Sequence, residues 1–390
     1  MDLPPTPPTL SDGHVTLRAH LVEDAQGSYE ATLDADYQRW TSVPLPVSLE
    51  GARHFVGQIM PGAWADGSAW GFAVEHGGSY VGTVELRTAS DREAGVVEIA
   101  YGSHPRVRGL RLEGRSVMER ALRLLLAWAF DEAGVHTVMW RAHRGNWASR
   151  KLAWKVGFRV EGTVRQWLTQ RGERHDAWIG TLLRGDPREP PTTWLRPPRL
   201  EGERVRLRPF TASDVPRVVE ACSDERTRHW LGTLPEPYDE TAARAYLLHV
   251  EERHAVGGGV TWAVADRGTD EMLGSMALFD LDPGREVEVG YWAHPAARGR
   301  GVVTEGTGLA LRYAFGRLAV QRVVAFAAAD NTASRHVLES NGLTQYATER
   351  LGARISTGST DQVCLDVLAG EWVTGQVARM PTREAGGGQA

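Results

Sequence analysis

His294-Pro-Ala-Ala-Arg-Gly-Arg-Gly-Val-Val-Thr-Glu-Gly306 is the stretch whose reading decides the fold. Ahead of it, Val287-Glu-Val-Gly-Tyr-Trp-Ala293 reads as a strand. Behind it, Leu309-Ala-Leu-Arg-Tyr-Ala-Phe315 places apolar residues at helical spacing. Gly299 and Gly301 therefore lie on a strand-to-helix turn. Such a turn can aim several backbone N–H groups at one point. The helix dipole adds positive potential there, and the missing Cβ atoms let an anion come close. Arg298 and Arg300 set charge beside it. The natural guest is a phosphate or pyrophosphate. The spacing is not that of a P-loop, nor of the dinucleotide fingerprint.

The chain has 390 residues, which predicts two domains, and 42% are hydrophobic, enough for real cores. Its formal net charge of −5 argues against a nucleic-acid partner held by a general basic field. Lysine occurs only at Lys151 and Lys155; arginine supplies the other cations. Two cysteines, Cys222 and Cys364, imply neither a disulfide framework nor a cysteine-rich zinc site, and no metal is expected. No apolar run reaches the roughly eighteen residues of a membrane span. The first residues lack the basic and apolar regions of a signal peptide. No membrane partner and a cytoplasmic location are the expectations. Fourteen tryptophans are many, and fit core packing or a cleft for an apolar substrate.

Taken in order, the first ten residues are proline-rich. Val15–Arg18 reads as a strand, with Asp24 as a candidate helix cap, and Leu49 to Met60 reads as a helix. Strands follow at Trp70–Val74, Tyr80–Leu86 and Val96–Tyr101. A helix over Glu119–Glu132, a strand over His136–Ala142, a helix over Asn146–Val156 and a last strand over Ala177–Leu183 complete this half. A proline-rich, extended linker leads to the second half. Then the pattern returns. Val205–Arg208, Asp214, Trp230, Glu288 and His294-Pro295 repeat Val15–Arg18, Asp24, Trp40, Glu98 and His104-Pro105, each 190 positions on. Asn331, Ser334, Gly342 and Asp361 repeat Asn146, Ser149, Gly157 and Asp176 at an offset of 185. The chain is a tandem repeat of one domain with an indel near the middle. The predicted boundaries are 1–187 and 201–380, joined by a linker over 188–200 and followed by a flexible tail over 381–390.

His-Pro-x-x-Arg-Gly-x-Gly after a Glu-x-Gly-Tyr strand resembles the acyl-CoA loop of the GNAT superfamily of N-acetyltransferases. Each half looks most like the ribosomal-protein alanine N-acetyltransferase branch. The resemblance implies an α/β (α+β) fold: two tandem GNAT domains, each a mixed, mostly antiparallel sheet flanked by helices. It implies acetyl-CoA, or another acyl-CoA, as co-substrate. Its pyrophosphate would meet Arg298, Gly299, Arg300, Gly301, Val302, Val303 and Thr304. Its pantetheine arm would lie along Trp292 and Ala293 and contact Asn331. Asn331 is equally suited to cap a helix.

Acetyl transfer to an amine needs a polarised acyl carbonyl, a deprotonated amine and a proton for the leaving thiolate. Backbone N–H groups at the end of the Val287–Ala293 strand would supply the first. Glu288 is either a general base or an anchor for a loop or the amine; the sequence leaves both open. Many relatives carry a tyrosine acid four residues after the serine position. Leu338 and Ala153 stand there in the two copies, so Ser334 becomes the candidate donor.

The first copy reads His104-Pro-Arg-Val-Arg-Gly-Leu-Arg, with Arg111 standing where the second copy has Gly301. Arg106, Arg108, Gly109, Glu98, Asn146 and Ser149 mark a possible second site. The C-terminal copy is expected to be the acyl-CoA site. The acceptor would be a small-molecule or peptide amine, or a protein N-terminus, and the protein a monomer or homodimer. Segments Glu236–His249 and Glu349–Asp361 are expected to face the acceptor. Two other readings stand beside this one: a mycothiol-synthase-like tandem acetyltransferase, and a non-catalytic acyl-CoA-binding regulator.

Overall fold

The computed structural model describes residues 4–88 and 95–372. The glycine-rich tail expected over 381–390 lies outside the described residues. Contacts divide the chain into two units, one ending at Pro191 and the other beginning at Thr192. Residues Leu195 and Leu200, from the segment expected to be linker, pack on the core of the second unit. The Trp262 indole N–H donates to the Pro198 carbonyl at 2.9 Å.

In the second unit the strands are β1 (Leu200–Glu201), β2 (Val205–Arg208), β3 (Gly259–Asp266), β4 (Met272–Asp282), β5 (Glu286–Ala293), β6 (Arg322–Ala328), β7 (Thr344–Ile355) and β8 (Gly358–Leu368). The helices are α1 (Val215–Ser223), α2 (Glu225–Trp230), α3 (Glu240–Ala255), α4 (Val302–Gly316) and α5 (Thr332–Ser340). The sheet runs β1-β2-β3-β4-β5-β6-β8-β7, with β5 and β6 parallel and the other neighbours antiparallel. The first unit repeats this order strand for strand. Both units are mixed sheets flanked by helices.

Each face of the sheet has its own core, because strand side chains alternate. On one face Val287, Val289, Val323 and Ala325 meet Ala310, Leu311 and Ala314 of α4 and Leu338 of α5. On the other, Ala263 and Met272 meet Val218 and Cys222 of α1 and Ala243 of α3. Each fully buried Leu or Val side chain contributes about 1.5–3 kcal/mol relative to exposure.

Three features depart from the sequence expectations. The carboxylate of Asp214 does not cap α1. It accepts from the upstream Thr211 N–H at 2.8 Å and from Arg208 at 2.8 and 2.9 Å, forming a buried ion pair. Asp24 does the same with Leu21 and Arg18. The helix expected over Leu49–Met60 continues to Asp66 and contains a π-helical stretch, Phe55–Ile59. Finally, Arg159–Gln170 and β7 are long strands that the sequence did not announce. Nearly every residue of β7 is exposed on both faces, so no hydrophobic period marks it.

Candidate functional site

Strands β5 and β6 pair over only three residues, Glu286 with Arg322, Val287 with Val323 and Glu288 with Val324. Beyond Glu288, β5 stays on β4 through Ala293 while its ladder to β6 ends. A gap therefore opens in mid-sheet. The His294 N–H bonds back to Leu273 on the β4 side at 2.9 Å. Backbone polarity alternates along a strand, so the amides of Tyr291 and Ala293 face the gap instead. The first unit opens the same gap after Glu98, which pairs with Met139.

Side chains along β5 sort by face. Glu288, Gly290 and Trp292 turn toward α1 and α3; Tyr291 turns toward α4 and α5. The Trp292 ring packs near Tyr246 at 6.3 Å, away from the face expected to carry pantetheine. Its carbonyl points at Gly274 on β4. Of the two residues expected along the pantetheine arm, Ala293 offers an amide to the gap and Trp292 does not.

Glu288 is half-buried, and its carboxylate makes no hydrogen bond or ion pair among the described residues. Burial, then the nearby charge of Asp280, push its carboxyl up to about 7, with Arg253 opposing. A carboxyl near neutrality suits a proton acceptor. In the first unit the Arg141 guanidinium holds Glu98 at 2.9 Å. The position equivalent to Arg141 in the second unit is Phe326, two residues past the Glu288 partner.

Across the gap, the Tyr291 hydroxyl donates to the Ser334 carbonyl at 3.0 Å and lies 3.1 Å from Ser334 Oγ. Burial raises the phenol above its usual range, so it stays protonated. The sequence marks Tyr291 as the end of its Glu-x-Gly-Tyr element but assigns it no role. The signal was there: three residues after Glu288 on a strand is the opposite face. Leu338 is buried in the core and brings no hydroxyl to the gap. Asn331 Oδ1 accepts from the Ser334 N–H at 3.1 Å, the capping role. Asn146 caps in the same way through Ser149.

The glycine turn lies at the same end of β5. Gly299 and Gly301 both have left-handed backbones, φ 71° and 70°. Gly301 is the N-cap of α4 and no side chain caps the helix. The amides of Val302, Val303 and Thr304 thus open the helix without a protein acceptor among the described residues. Arg300 is exposed beside them, while Arg298 is engaged elsewhere: its guanidinium binds Asp224, the N-cap of α2, and Thr227 within it. Arg108 makes the equivalent pair with Asp34 at 2.6 Å, and Arg106 donates to the Tyr80 carbonyl.

The first unit departs by more than one residue in this loop. Arg111 does not occupy the Gly301 position. Arg111–Leu112 and Arg115–Ser116 form a small hairpin that has no counterpart among the described residues of the second unit. The helix then starts at Val117, capped by Ser116 Oγ on the Glu119 N–H at 3.2 Å. The counterpart of Gly301 is Ser116, reached through five extra residues, which is why the repeat offset changes from 190 to 185. Gly109 keeps a left-handed backbone, φ 80°.

Large side chains also stand beside its gap. The Trp140 indole N–H reaches both Tyr101 OH and Ser149 Oγ at 3.1 Å. Trp147 and Trp178 pack together at 4.7 Å on the same side. The equivalent residues in the second unit are Ala325, Thr332 and Val363. Part of the high tryptophan count is therefore packing where the second unit has small side chains.

Sheet, gap and glycine turn form the frame of an acyltransferase. The family model described as an acetyltransferase (GNAT) domain matches residues 14–159 and again 204–344. The chain belongs to that family and carries its domain twice. It is similar to YdaF of Bacillus subtilis (strain 168), provisionally named a ribosomal N-acetyltransferase: 26% identity over 44% of this chain and 94% of that protein. YjcK of the same organism, a "Probable N-acetyltransferase", is 24% identical over 43% of this chain and 96% of its own length. Among solved structures, a GCN5-related N-acetyltransferase from Brucella melitensis is 23% identical with TM-score 0.41, covering 46% of this chain and 82% of that one. RimJ of Mycobacterium smegmatis, in complex with CoA-disulfide, is 17% identical with TM-score 0.41, covering 46% and 95%. Members of the family use acetyl-CoA. Among the described residues no helix is long and apolar enough to cross a membrane.

Proposed function

We propose that the second unit transfers an acetyl group from acetyl-CoA to a primary amine, and that the first unit does not turn over. The observation carrying this is Glu288: unpaired among the described residues, raised to about 7, and placed where the sheet opens. Acetyl-CoA supplies a thioester carbonyl. The amides of Tyr291 and Ala293 polarise that carbonyl, and the Val302–Thr304 amides with Arg300 hold the pyrophosphate. Glu288 takes the proton released as the amine nitrogen bonds to the carbonyl carbon. The carbon–sulfur bond breaks, the Tyr291–Ser334 hydroxyl pair gives a proton to the thiolate and regains one from solvent, and Glu288 releases its proton to solvent. Ser334 thus shares the donor role with a tyrosine on the neighbouring strand.

The first unit offers the opposite features. Glu98 is tied to Arg141, its serine hydroxyl is bound twice, and its helix start is capped by its own side chain. The test is CoA release by the full-length chain with a panel of amines. Turnover that Glu288→Gln abolishes and Glu98→Gln leaves alone supports the assignment. Turnover lost with Glu98→Gln instead reverses it.

A further inference from the structure

Glu288 stands between two phenylalanines on its face of the sheet. Phe279 pairs with it directly on β4, its ring so close to Gly290 that a Cβ there would lie 2.6 Å away. Phe326 on β6 lies on the same face and is 38% exposed, high for a phenylalanine in an interior strand. The first unit has Arg87 opposite Glu98 and Arg141 in place of Phe326. Arginines beside one carboxylate have become aromatic rings beside the other. Asp280, exposed on the strand next to Glu288, adds a second negative charge. The cation that opposes it, Arg253, lies over the Phe279 ring at 5.3 Å.

We propose that the acceptor of the second unit is a primary amine carried on an apolar body, with no carboxylate or phosphate next to the nitrogen, and that Phe326 sets this preference. The proposal rests on reading the second unit as the N-acetyltransferase. An ammonium is attracted both by the carboxylate and by a ring face. An apolar body removes the exposed Phe326 ring from water. A carboxylate beside the amine would instead meet Glu288 and Asp280, two like charges, at short range.

The test compares phenethylamine with phenylalanine, which differ by that carboxylate, and with methylamine, which has no body. CoA release is followed on the full-length chain, and phenethylamine binding by calorimetry in the presence of CoA. The expected kcat/KM for phenethylamine exceeds that for phenylalanine by at least about tenfold, the scale of one apolar or charge contact in a pocket. Phe326→Ala should lower it about tenfold, weaken the calorimetric binding in parallel, and cost methylamine less; Phe326→Leu should restore most of it. Equal turnover of phenylalanine, or an equal loss for every amine, overturns the proposal. If acetyl-CoA binds but no amine is acetylated, the catalytic assignment falls. Calorimetry then still decides this one, since phenethylamine that fails to bind, or binds Phe326→Ala equally, refutes the Phe326 site.

Discussion

Arg141 reaches Glu98 at 2.9 Å, and Phe326 holds the same register position beside Glu288. The arginine thus gives Glu98 an ion-pair partner at a position where Glu288, among the described residues, has none. Glu288→Gln keeps shape and removes the base, so kcat should fall by about 10²-fold or more. Glu98→Gln should leave kcat unchanged. Phe326→Arg copies the first unit into the second; the new ion pair should hold Glu288 ionised but occupied, and turnover should drop with it. Steady-state CoA release on the three variants checks all of this.

The Glu288 carboxyl, raised from 4.5 to about 7, gives two pH effects of opposite use. As a base it must be ionised, so kcat/KM should climb as pH rises through about 7 and then level off. Stability runs the other way. Between 4.5 and about 7 the folded chain holds a proton that the unfolded chain has released. The stabilisation is present at low pH and is lost as pH rises through the folded value. Glu288→Gln, neutral at every pH, should therefore raise Tm at about pH 8 and change it little at about pH 5. Thermal melts at the two pH values are the measurement. A Tm lowered at the higher pH would mean the carboxylate has a stabilising partner.

Most of this was legible in the sequence where side chains alternate strongly or a turn demands glycine. The β5 strand, the Gly299–Gly301 turn and the Asn331 cap all follow from local pattern. Strand β7 did not, because exposure on both faces erases the period that marks a strand. Arg298 looked like an anion ligand but binds Asp224, a residue 74 positions away, and no local pattern reports such a partner. The Ser116 cap was hidden for another reason. An insertion shifts the alignment, so Arg111 matched Gly301 by position while serving a different element.

Ala325 and Trp140 occupy equivalent places beside the gap. The wild-type chain should bind one acetyl-CoA, in the second unit. Ala325→Trp should abolish that binding by placing an indole against Ser334 and Tyr291. Overpacking costs about 1–3 kcal/mol, so the variant needs a melt to show that it remains folded. A calorimetric stoichiometry of two for the wild type would show that the first unit binds despite Trp140.

The Tyr291 and Ser334 hydroxyl oxygens lie 3.1 Å apart on the same side of the gap. If either hydroxyl can return the proton, single changes should cost little and the double change much. Tyr291→Phe and Ser334→Ala should each lower kcat less than about tenfold, and the pair together by about 10²-fold or more, the usual scale of a lost general acid. Acetyl-CoA affinity should hold in all three. Strict additivity of the two effects on a logarithmic scale would show that the hydroxyls act separately.

The last prediction concerns Gly301, whose counterpart is Ser116. Ser116 sits at φ −75° and its hydroxyl occupies the Glu119 amide in the helix's first turn. Gly301 sits at φ 70° with no side chain to compete for the Thr304 amide. Gly301→Ser introduces one of two penalties on acyl-CoA binding, both of the same sign. In the left-handed backbone a side chain costs about 1–2 kcal/mol. If the backbone relaxes to the conformation of Ser116, the hydroxyl can then take an amide that the pyrophosphate would otherwise use. A lost hydrogen bond to a charged group costs about 1.5–3 kcal/mol. Either route should weaken acetyl-CoA at least about tenfold when it exceeds about 1.4 kcal/mol. Gly301→Ala separates them, since it carries the backbone strain without the hydroxyl. A Cβ at this position would lie 3.1 Å from the Arg204 guanidinium, the mobile end of a long side chain, so crowding there adds little. Calorimetry should rank wild type above Gly301→Ala, and Gly301→Ala above Gly301→Ser. Equal affinity of the two variants would assign the effect to strain alone, and wild-type affinity in both would remove the helix start from the acetyl-CoA site.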